Sequence, residues 1–488
     1  VPGATDEGLE IPRRRWLTFA PVAVLIALAG FTTYVFWPGH MSSDTLSQIE
    51  SVRTGRFFDW HAGVLMALWR PFWLVGVGVT AVFFASVCTF VLGLYSTLRV
   101  AFGRAGATAA TVVLVVTPQI FGYLGYFGRD QWFASLLMAA IGAISFAARS
   151  SGRARRVGMV IAFIALCLML AARQNGFGFG FPIAVALVGV VLAEGDSAPG
   201  AIRALAIRAG HASRLTRGAY YVVSGVVVLI AAVLVNTGVA RLAGVERTHP
   251  EQAVYLFDLA TMSARRGEVL LPPEVFPAQD VRLLRQTYNP YSVEPLLFGD
   301  AAILEFPVGS DQVSVLRSRW LDAVRADPID YLRGRWKTWT RQIGWSGHVW
   351  WIFHPYVDPN PWGYEIEHDA VNDVMQEYMT SFTSDPWLGG NDLFRIWPYL
   401  LVCCGGLVML RRRSDVRLVG WACAGALAHE STLFLGTMGV QYRYNYPVVL
   451  VALITASIGM RSAWQAVIRR RDGLAPAVDD RATDSAPS

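Results

Sequence analysis

Lysine is all but missing from this chain: Lys337 is its one copy, and arginine supplies the other basic residues. Charge of either sign is scarce, at 16% of 488 residues, whereas 54% are hydrophobic and the mean hydropathy is +0.39. That balance excludes a soluble globular fold of this size. It excludes nucleic-acid binding as the main theme too, because the net charge of +6 comes from arginines flanking apolar runs rather than from a basic patch. The five cysteines (Cys88, Cys167, Cys403, Cys404, Cys423) all fall inside apolar runs, which leaves no CxxC metal site and no disulfide framework in water-facing segments. They read as small buried hydrophobes, with Cys403 and Cys404 pointing about 100° apart on one helix. No HExxH, GxSxG or Walker loop occurs, nor a GxGxxG between strand and helix, so nucleotide chemistry is not expected. An internal repeat is also lacking.

What the chain does have is apolar runs of bilayer length. Ten spans are expected, near 17–37, 72–96, 107–125, 131–148, 157–172, 176–194, 219–240, 394–410, 417–437 and 445–461. The first lacks an Ala-x-Ala site before the next polar loop and reads as a span rather than a cleavable signal peptide. With a cytoplasmic N-terminus, the inner segments hold 21 arginines against six in the short outer ones, which puts both termini inside. Residues 241–393 then face outward as a soluble, mostly helical module, acidic by eight charges in a basic chain. Within it, Leu316, Trp320, Val324, Tyr331 and Trp336 recur at helical spacing broken near Pro328. The expected organisation is a membrane domain over 1–240 (seven spans), the outer module over 241–393, three more spans over 394–471 and a disordered cytoplasmic tail over 472–488.

Polar residues of varied chemistry gather at the outer ends of the spans, while the inner loops show mainly arginine. The first outer loop, 38–70, holds Asp44 a few residues beyond the first span, with Gln48 and Ser51 following at i+4 and i+7 on one helical face. It continues with Asp59-Trp60-His61 and a short interfacial helix, Gly63 to Trp69. Read alone, Asp44 caps a helix beginning near Thr45. The other outer turns carry Arg129-Asp130, Arg173-Gln174-Asn175-Gly176, and Gln441-Tyr442-Arg443-Tyr444-Asn445-Tyr446-Pro447. His429-Glu430 lies inside the ninth span, where an ionisable pair is costly and either functional or bonded to a neighbouring helix. Seven tryptophans crowd 320–362 beside His348 and His354, so Trp350 and Trp351 mark either a sugar-stacking surface or a helix lying at headgroup depth.

Together, Ser43-Asp44 close to the membrane, Asp59-Trp60-His61 in the same loop, Arg129-Asp130 in the second outer loop and the large outer module resemble the GT-C superfamily. These are integral membrane glycosyltransferases that use polyprenyl-phosphate sugars. The segments at 173–176, 327–333 and 443–447 also resemble recurring patches in bacterial proteins of this type. The resemblance implies a plasma-membrane, multi-pass cell-envelope enzyme with an extracytoplasmic active site. It would move a hexosyl or pentosyl group from the lipid-linked donor to a glycan or lipid acceptor. Asp44 would be the general base of an inverting displacement, with Asp130, Asp59 and His61 assisting. Arg129, Arg173 and Arg443 would hold the donor phosphate. Gln48, Tyr442, Tyr444, Trp350, Trp351 and His348 would contact sugar or acceptor. Many members carry paired acids in the first loop; here a serine precedes Asp44, and the residues leave a divalent metal open. Two other classes fit the same layout, a lipid-linked oligosaccharide ligase or polymerase working through His348, His354 and the outer arginines, and a flippase of lipid-linked sugars. Flippases and transporters, however, place polar groups near the midplane, usually in repeated halves.

Overall fold

A computed structural model describes residues 13–192, 213–382, 392–410 and 417–472. The expected tail lies outside the described residues from 473 on, as do Arg203, Arg208 and Arg411 to Arg413. Among the described residues the regular structure is helical, with only isolated β-bridges. In chain order the helices are α1 (Arg13–Val35), α2 (Ser43–Thr54), α3 (Gly63–Leu74), α4 (Gly78–Leu98), α5 (Arg104–Val115), α6 (Pro118–Leu124), α7 (Arg129–Ala148), α8 (Gly152–Ala172) and α9 (Phe177–Leu192). Then follow α10 (Arg214–Leu242), α11 (Gln252–Arg266), α12 (Val281–Thr287), α13 (Glu294–Leu297), α14 (Ser310–Ala326), α15 (Pro328–Gln342), α16 (Asp369–Thr380), α17 (Trp397–Leu410), α18 (Arg417–Gly436) and α19 (Tyr442–Arg471).

The chain is a polytopic helical membrane protein. Seven helices (α4, α7, α8, α9, α10, α18 and α19) are long and apolar enough to cross a bilayer. The pair α5 and α6 passes the same test together but is bent by 75°, the geometry of a broken span or a re-entrant loop. The stretch expected at 107–125 is bent at its proline: Pro118 has no N–H to continue the ladder and holds Thr117 extended, at φ −66° and ψ 140°. Shorter apolar stretches at Ala20–Val35 and Trp397–Val408 coincide with the first and eighth expected spans. The span expected from residue 72 begins instead at Gly78, because residues 63–74 form the separate helix α3, which a turn at Gly76 (φ +79°) divides from α4.

Helix α7 sits at the centre, packed on α4 and α8. Two glycines allow its approach to α4: a Cβ on Gly142 would fall 2.5 Å from the Gly93 carbonyl oxygen, and one on Gly93 would fall 2.5 Å from the Met138 backbone. Backbones this close are the small-residue packing that membranes favour, where lipid supplies no hydrophobic drive between helices. Of the adjacent cysteines, Cys403 is buried and Cys404 exposed, as a 100° rotation requires.

A second hydrophobic core, Ala253 to Ala323, is built by α11 to α14 and sealed from the membrane half by Trp60 and Met438. Residues 343–382 do not join it; Val349, Ile352, Phe353 and Met379 pack into the core of the membrane helices. Between α14 and α15 the chain turns at Asp327, whose Oδ1 accepts from the Asp330 N–H at 2.9 Å. The second core is clamped to the end of α18 by Arg335, which is almost fully buried. Its guanidinium donates to Asp258 Oδ2 at 2.6 Å and to the Thr437 carbonyl at 2.6 Å, and Trp320 Nε1 donates to the same carboxylate at 2.8 Å. Replacing Arg335 by Gln strands a buried carboxylate and is expected to cost about 3–5 kcal/mol. Thermal unfolding in detergent reads this, with part of the loss recovered in the Asp258→Asn/Arg335→Gln double variant; a loss below about 1 kcal/mol would contradict the clamp.

Candidate functional site

Residues 39–41 leave α1 as an extended segment held on both sides. His40 N donates to the Gly125 carbonyl and its own carbonyl accepts from Phe127 N, each at 2.9 Å. Met41 N donates to the Tyr356 carbonyl at 3.1 Å, and the Met41 carbonyl accepts from Asp358 N at 2.8 Å. The first turn of α2 is then pinned by side chains: Ser43 N donates to Asp358 Oδ2 at 2.7 Å, and Thr45 Oγ1 donates to the Phe127 carbonyl at 2.6 Å. The helix starts at Ser43 with Ser42 at the N-cap, so Asp44 does not cap it. Its carboxylate turns to Arg443 in the first turn of α19.

Four ionised groups from four distant segments meet here. Arg443 Nη1 lies 2.7 Å from Asp44 Oδ2 and 3.6 Å from Asp130 Oδ2, bridging α2 and α7. Arg173, from the turn between α8 and α9, contacts the other oxygen of Asp130. The order is thus carboxylate, guanidinium, carboxylate, guanidinium. Exposure is uneven along it: 33% of the Asp44 side chain is open, against 3% for Asp130, 8% for Arg443 and 13% for Arg173. The one acid of the row with room for a reacting partner is Asp44. Burial pushes its carboxyl up, but Arg443 and Arg129 outweigh that and hold it well below the usual carboxylate range.

Aromatic faces cover the guanidiniums. Tyr444 lies under both, 4.8 Å from Arg173 and 5.4 Å from Arg443, and Trp351 stacks on Arg443 at 5.2 Å. Trp351 adopts φ +56°, a left-handed conformation that costs a bulky residue about 1–3 kcal/mol and that clusters at functional sites. The two arginine-bearing turns are tied from below by His429 of α18, whose Nδ1 and Nε2 lie 3.2 and 3.0 Å from the carbonyl oxygens of Asn175 and Tyr444. Its neighbour Glu430 accepts from Trp339 Nε1 at 3.2 Å.

The remaining sequence-selected residues divide. Arg129 reaches the Trp60 carbonyl with its guanidinium, while its backbone N donates to Gln48 Oε1 at 2.9 Å. Gln48 also donates to the Asp44 carbonyl at 3.1 Å; it is buried as a bracket between α2 and α7. His61 is close enough for Arg129 and Asp44 to act on it, and burial followed by the Arg129 charge lowers its pKa to about 4. Asp59 Oδ1 accepts from Thr248 N and Oγ1 at 2.7 and 2.6 Å, joining the first loop to the chain after α10. Tyr442 points away from the row, buried, with its hydroxyl on the Gln119 carbonyl at 3.0 Å. Trp350 packs on Tyr291 and its carbonyl accepts from Tyr442 N at 2.8 Å, while the imidazole of His348 makes no contact with the row in the described residues. Reasoning from sequence missed Asp358 and Gln441. Gln441 accepts from Arg443 Nε and stood in plain view two residues before it; Asp358 gave no signal, since it acts on a residue 315 positions away.

Beside the row opens a cleft of about 420 Å³. Arg129, Arg173 and Tyr444 line it together with the acids Asp59 and Glu251, and so do the apolar Leu170, Phe177 and Leu433 on spans α8, α9 and α18. Asp44 and Arg443 are outside the lining, with Arg443 on the ring of Tyr444, which is part of it. Among the described residues no group of three or more His, Cys, Asp or Glu side chains could hold a metal ion.

No family model matches the chain, and no curated protein does. Among solved structures, it aligns with the archaeal oligosaccharyltransferase AglB from Archaeoglobus fulgidus in complex with an inhibitory peptide and a dolichol-phosphate. The identity is 13% over 97% of this chain and 53% of that one, with a TM-score of 0.37. The apo form of the Archaeoglobus fulgidus oligosaccharyltransferase aligns at 12% identity over 93% of this chain and 52% of that one, again at 0.37. The chain thus spans about half the length of each.

The histidine geometry makes a direct expectation. His61 is neutral in the folded protein until pH falls to about 4. Because that value lies below the unfolded one of about 6.5, protonation favours unfolding, and His61's stabilising share declines as pH drops from about 6.5 to about 4. Histidine NMR resonances should show the low midpoint, moving upward in Arg129→Gln; a midpoint near 6.5 in the unaltered protein would contradict the placement.

Proposed function

We propose that this chain transfers a sugar from a polyprenyl-phosphate donor to a glycan or lipid acceptor of the cell envelope, at the outer face of the membrane. The observation that carries the reading is the partly open Asp44 carboxylate at the head of an acid and arginine row, beside a cleft whose lining includes two arginines and apolar side chains of three spans. A lipid phosphate needs both, cations for the headgroup and hydrocarbon contact for the chain. Arg173 and Arg129 receive the phosphate, and Arg443 joins them from outside the cleft lining.

In the transfer, the acceptor hydroxyl oxygen attacks the anomeric carbon, and its proton passes to Asp44. The bond from that carbon to the phosphate oxygen breaks, its electron pair leaving with the polyprenyl phosphate, and the configuration inverts. The guanidiniums stabilise the charge that grows on the leaving phosphate. At rest they also depress the basicity of Asp44. The arriving phosphate draws them off, so the base strengthens once the donor is seated. Among the described residues there is no protein-only metal cage, and the steps above use this chain's side chains alone. Outer orientation and cytoplasmic termini belong to this proposal, resting on the arginine asymmetry, and so does an outer module whose own core runs from Ala253 to Ala323.

Arg443→Ala and Arg173→Ala should each weaken polyprenyl-phosphate binding by about tenfold or more, the worth of a charge-assisted contact. Asp44→Asn should bind that lipid at least as well as wild type yet lose transfer by about 10²–10⁴-fold. Wild-type transfer by Asp44→Asn, or unchanged binding in Arg443→Ala, would overturn the respective role. The acid limb of kcat should lie at higher pH than that of kcat/KM, since only the former reports Asp44 with the donor bound; the reverse order would contradict the release of Arg443.

A further inference from the structure

A cavity of about 660 Å³, larger than the cleft beside the row, lies nowhere near Asp44. It sits between α7, α8, α9, α10 and α18 at their other ends. Arg149 closes α7 there, 19 residues after Asp130 and so about 28 Å away along the helix, roughly the thickness of the hydrocarbon layer. Three arginines line the cavity: Arg149, Arg155 of α8 and Arg417, the first residue of α18. Tyr221 and Trp421 stand among them, and the walls leading inward are apolar, including Ile144, Val185 and Val190. No acidic side chain lines it among the described residues.

Two of the arginines are held in place, and one of them keeps an unused donor. Arg149 is fixed from one side, its Nε donating to the Ser145 carbonyl at 3.0 Å and Nη2 to the Ser96 carbonyl at 3.1 Å. Arg155 is anchored on the Val190 carbonyl, which leaves its buried Nε without an acceptor. A buried donor with nothing to donate to costs free energy, and here it belongs to a cation. Arg155 is half-buried, while Arg149 and Arg417 are exposed at the rim of the cavity.

We propose that this cavity binds a phosphate group, carried by an anionic phospholipid of the leaflet opposite the one that faces Asp44. Guanidiniums on three helices supply the charge-assisted hydrogen bonds, the aromatic pair flanks the glycerol level, and the apolar walls accept the start of the acyl chains. The site is independent of the transfer chemistry and would stand if that reading fell.

The test uses the full chain, purified and delipidated in detergent, with thermal unfolding as the readout. Dioleoyl phosphatidylglycerol should raise Tm by roughly 3 °C or more, and dioleoyl phosphatidylcholine should not. The Arg149→Gln/Arg155→Gln/Arg417→Gln variant should lose that rise, while Arg153→Gln/Arg156→Gln, changed on a separate surface of the same membrane end, should keep it. Inorganic phosphate at the same concentration separates the sources. A rise with phosphate alone that the triple variant lacks establishes the anion site and transfers it from lipid to free phosphate. Should the triple variant not fold, native mass spectrometry of Arg155→Gln replaces it, with fewer retained phosphatidylglycerol molecules than wild type expected. Equal retention, or an equal rise in the variant and wild type, overturns the site.

Discussion

One guanidinium shared between two carboxylates organises the Asp44 end of this molecule. Arg443 joins Asp44, 399 residues earlier in the chain, to Asp130, and Arg173 completes the row from a third loop. Each charge would be prohibitive alone at such burial, and removing one partner leaves the next uncompensated. The row therefore acts as a register for the four segments that bear it. His429 repeats the constraint from beneath, touching the backbone of the Arg173 turn and of the Arg443 turn. The extended segment at 39–41, clamped between residues 125–127 and 356–358, holds the fourth corner.

This arrangement has a chemical consequence that a single ion pair would lack. A base pinned by a guanidinium is a weak base, and a phosphate is the kind of ligand that competes for the same guanidinium. In the proposed reaction the donor both occupies the cations and restores the basicity of Asp44, so binding and activation are one electrostatic event. Because Asp130 keeps its grip on Arg173 and Arg443 from the buried side, the arginines have somewhere to remain as Asp44 lets go. The strained Trp351 over Arg443 adds a rigid face on the same cation.

Much of this was legible in the residues, for physical reasons that also mark where legibility ends. A bilayer demands about twenty apolar residues per crossing, so the spans announce themselves, and polar groups at the span ends stand out because hydrocarbon admits so few. Asp44, Asp130, Arg173 and Arg443 were recognisable on that ground. Helical spacing, however, gives a face without saying what it meets. Gln48 was correctly placed beside Asp44 on one face, yet that face packs on α7 and the amide serves as a bracket. Tyr442 adjoins Arg443 in sequence and points the opposite way, because successive helical residues diverge by 100°. A proline within a long apolar run, Pro118, bends a stretch that hydropathy alone draws straight. The inward packing of Phe353 and Met379 reflects contacts with distant helices that no local pattern encodes.

The central claim is that the row and its cleft act on a lipid-linked sugar, and the most direct measurement is release of free polyprenyl phosphate. The purified chain in nanodiscs would be given a panel of polyprenyl-phosphate sugars with a cell-envelope glycan acceptor, with and without EDTA. The account expects one donor to be consumed, with polyprenyl phosphate and elongated acceptor appearing in equal amounts; the EDTA arm reads metal dependence at the same time. A folded protein that leaves every donor intact in the presence of acceptor would contradict it.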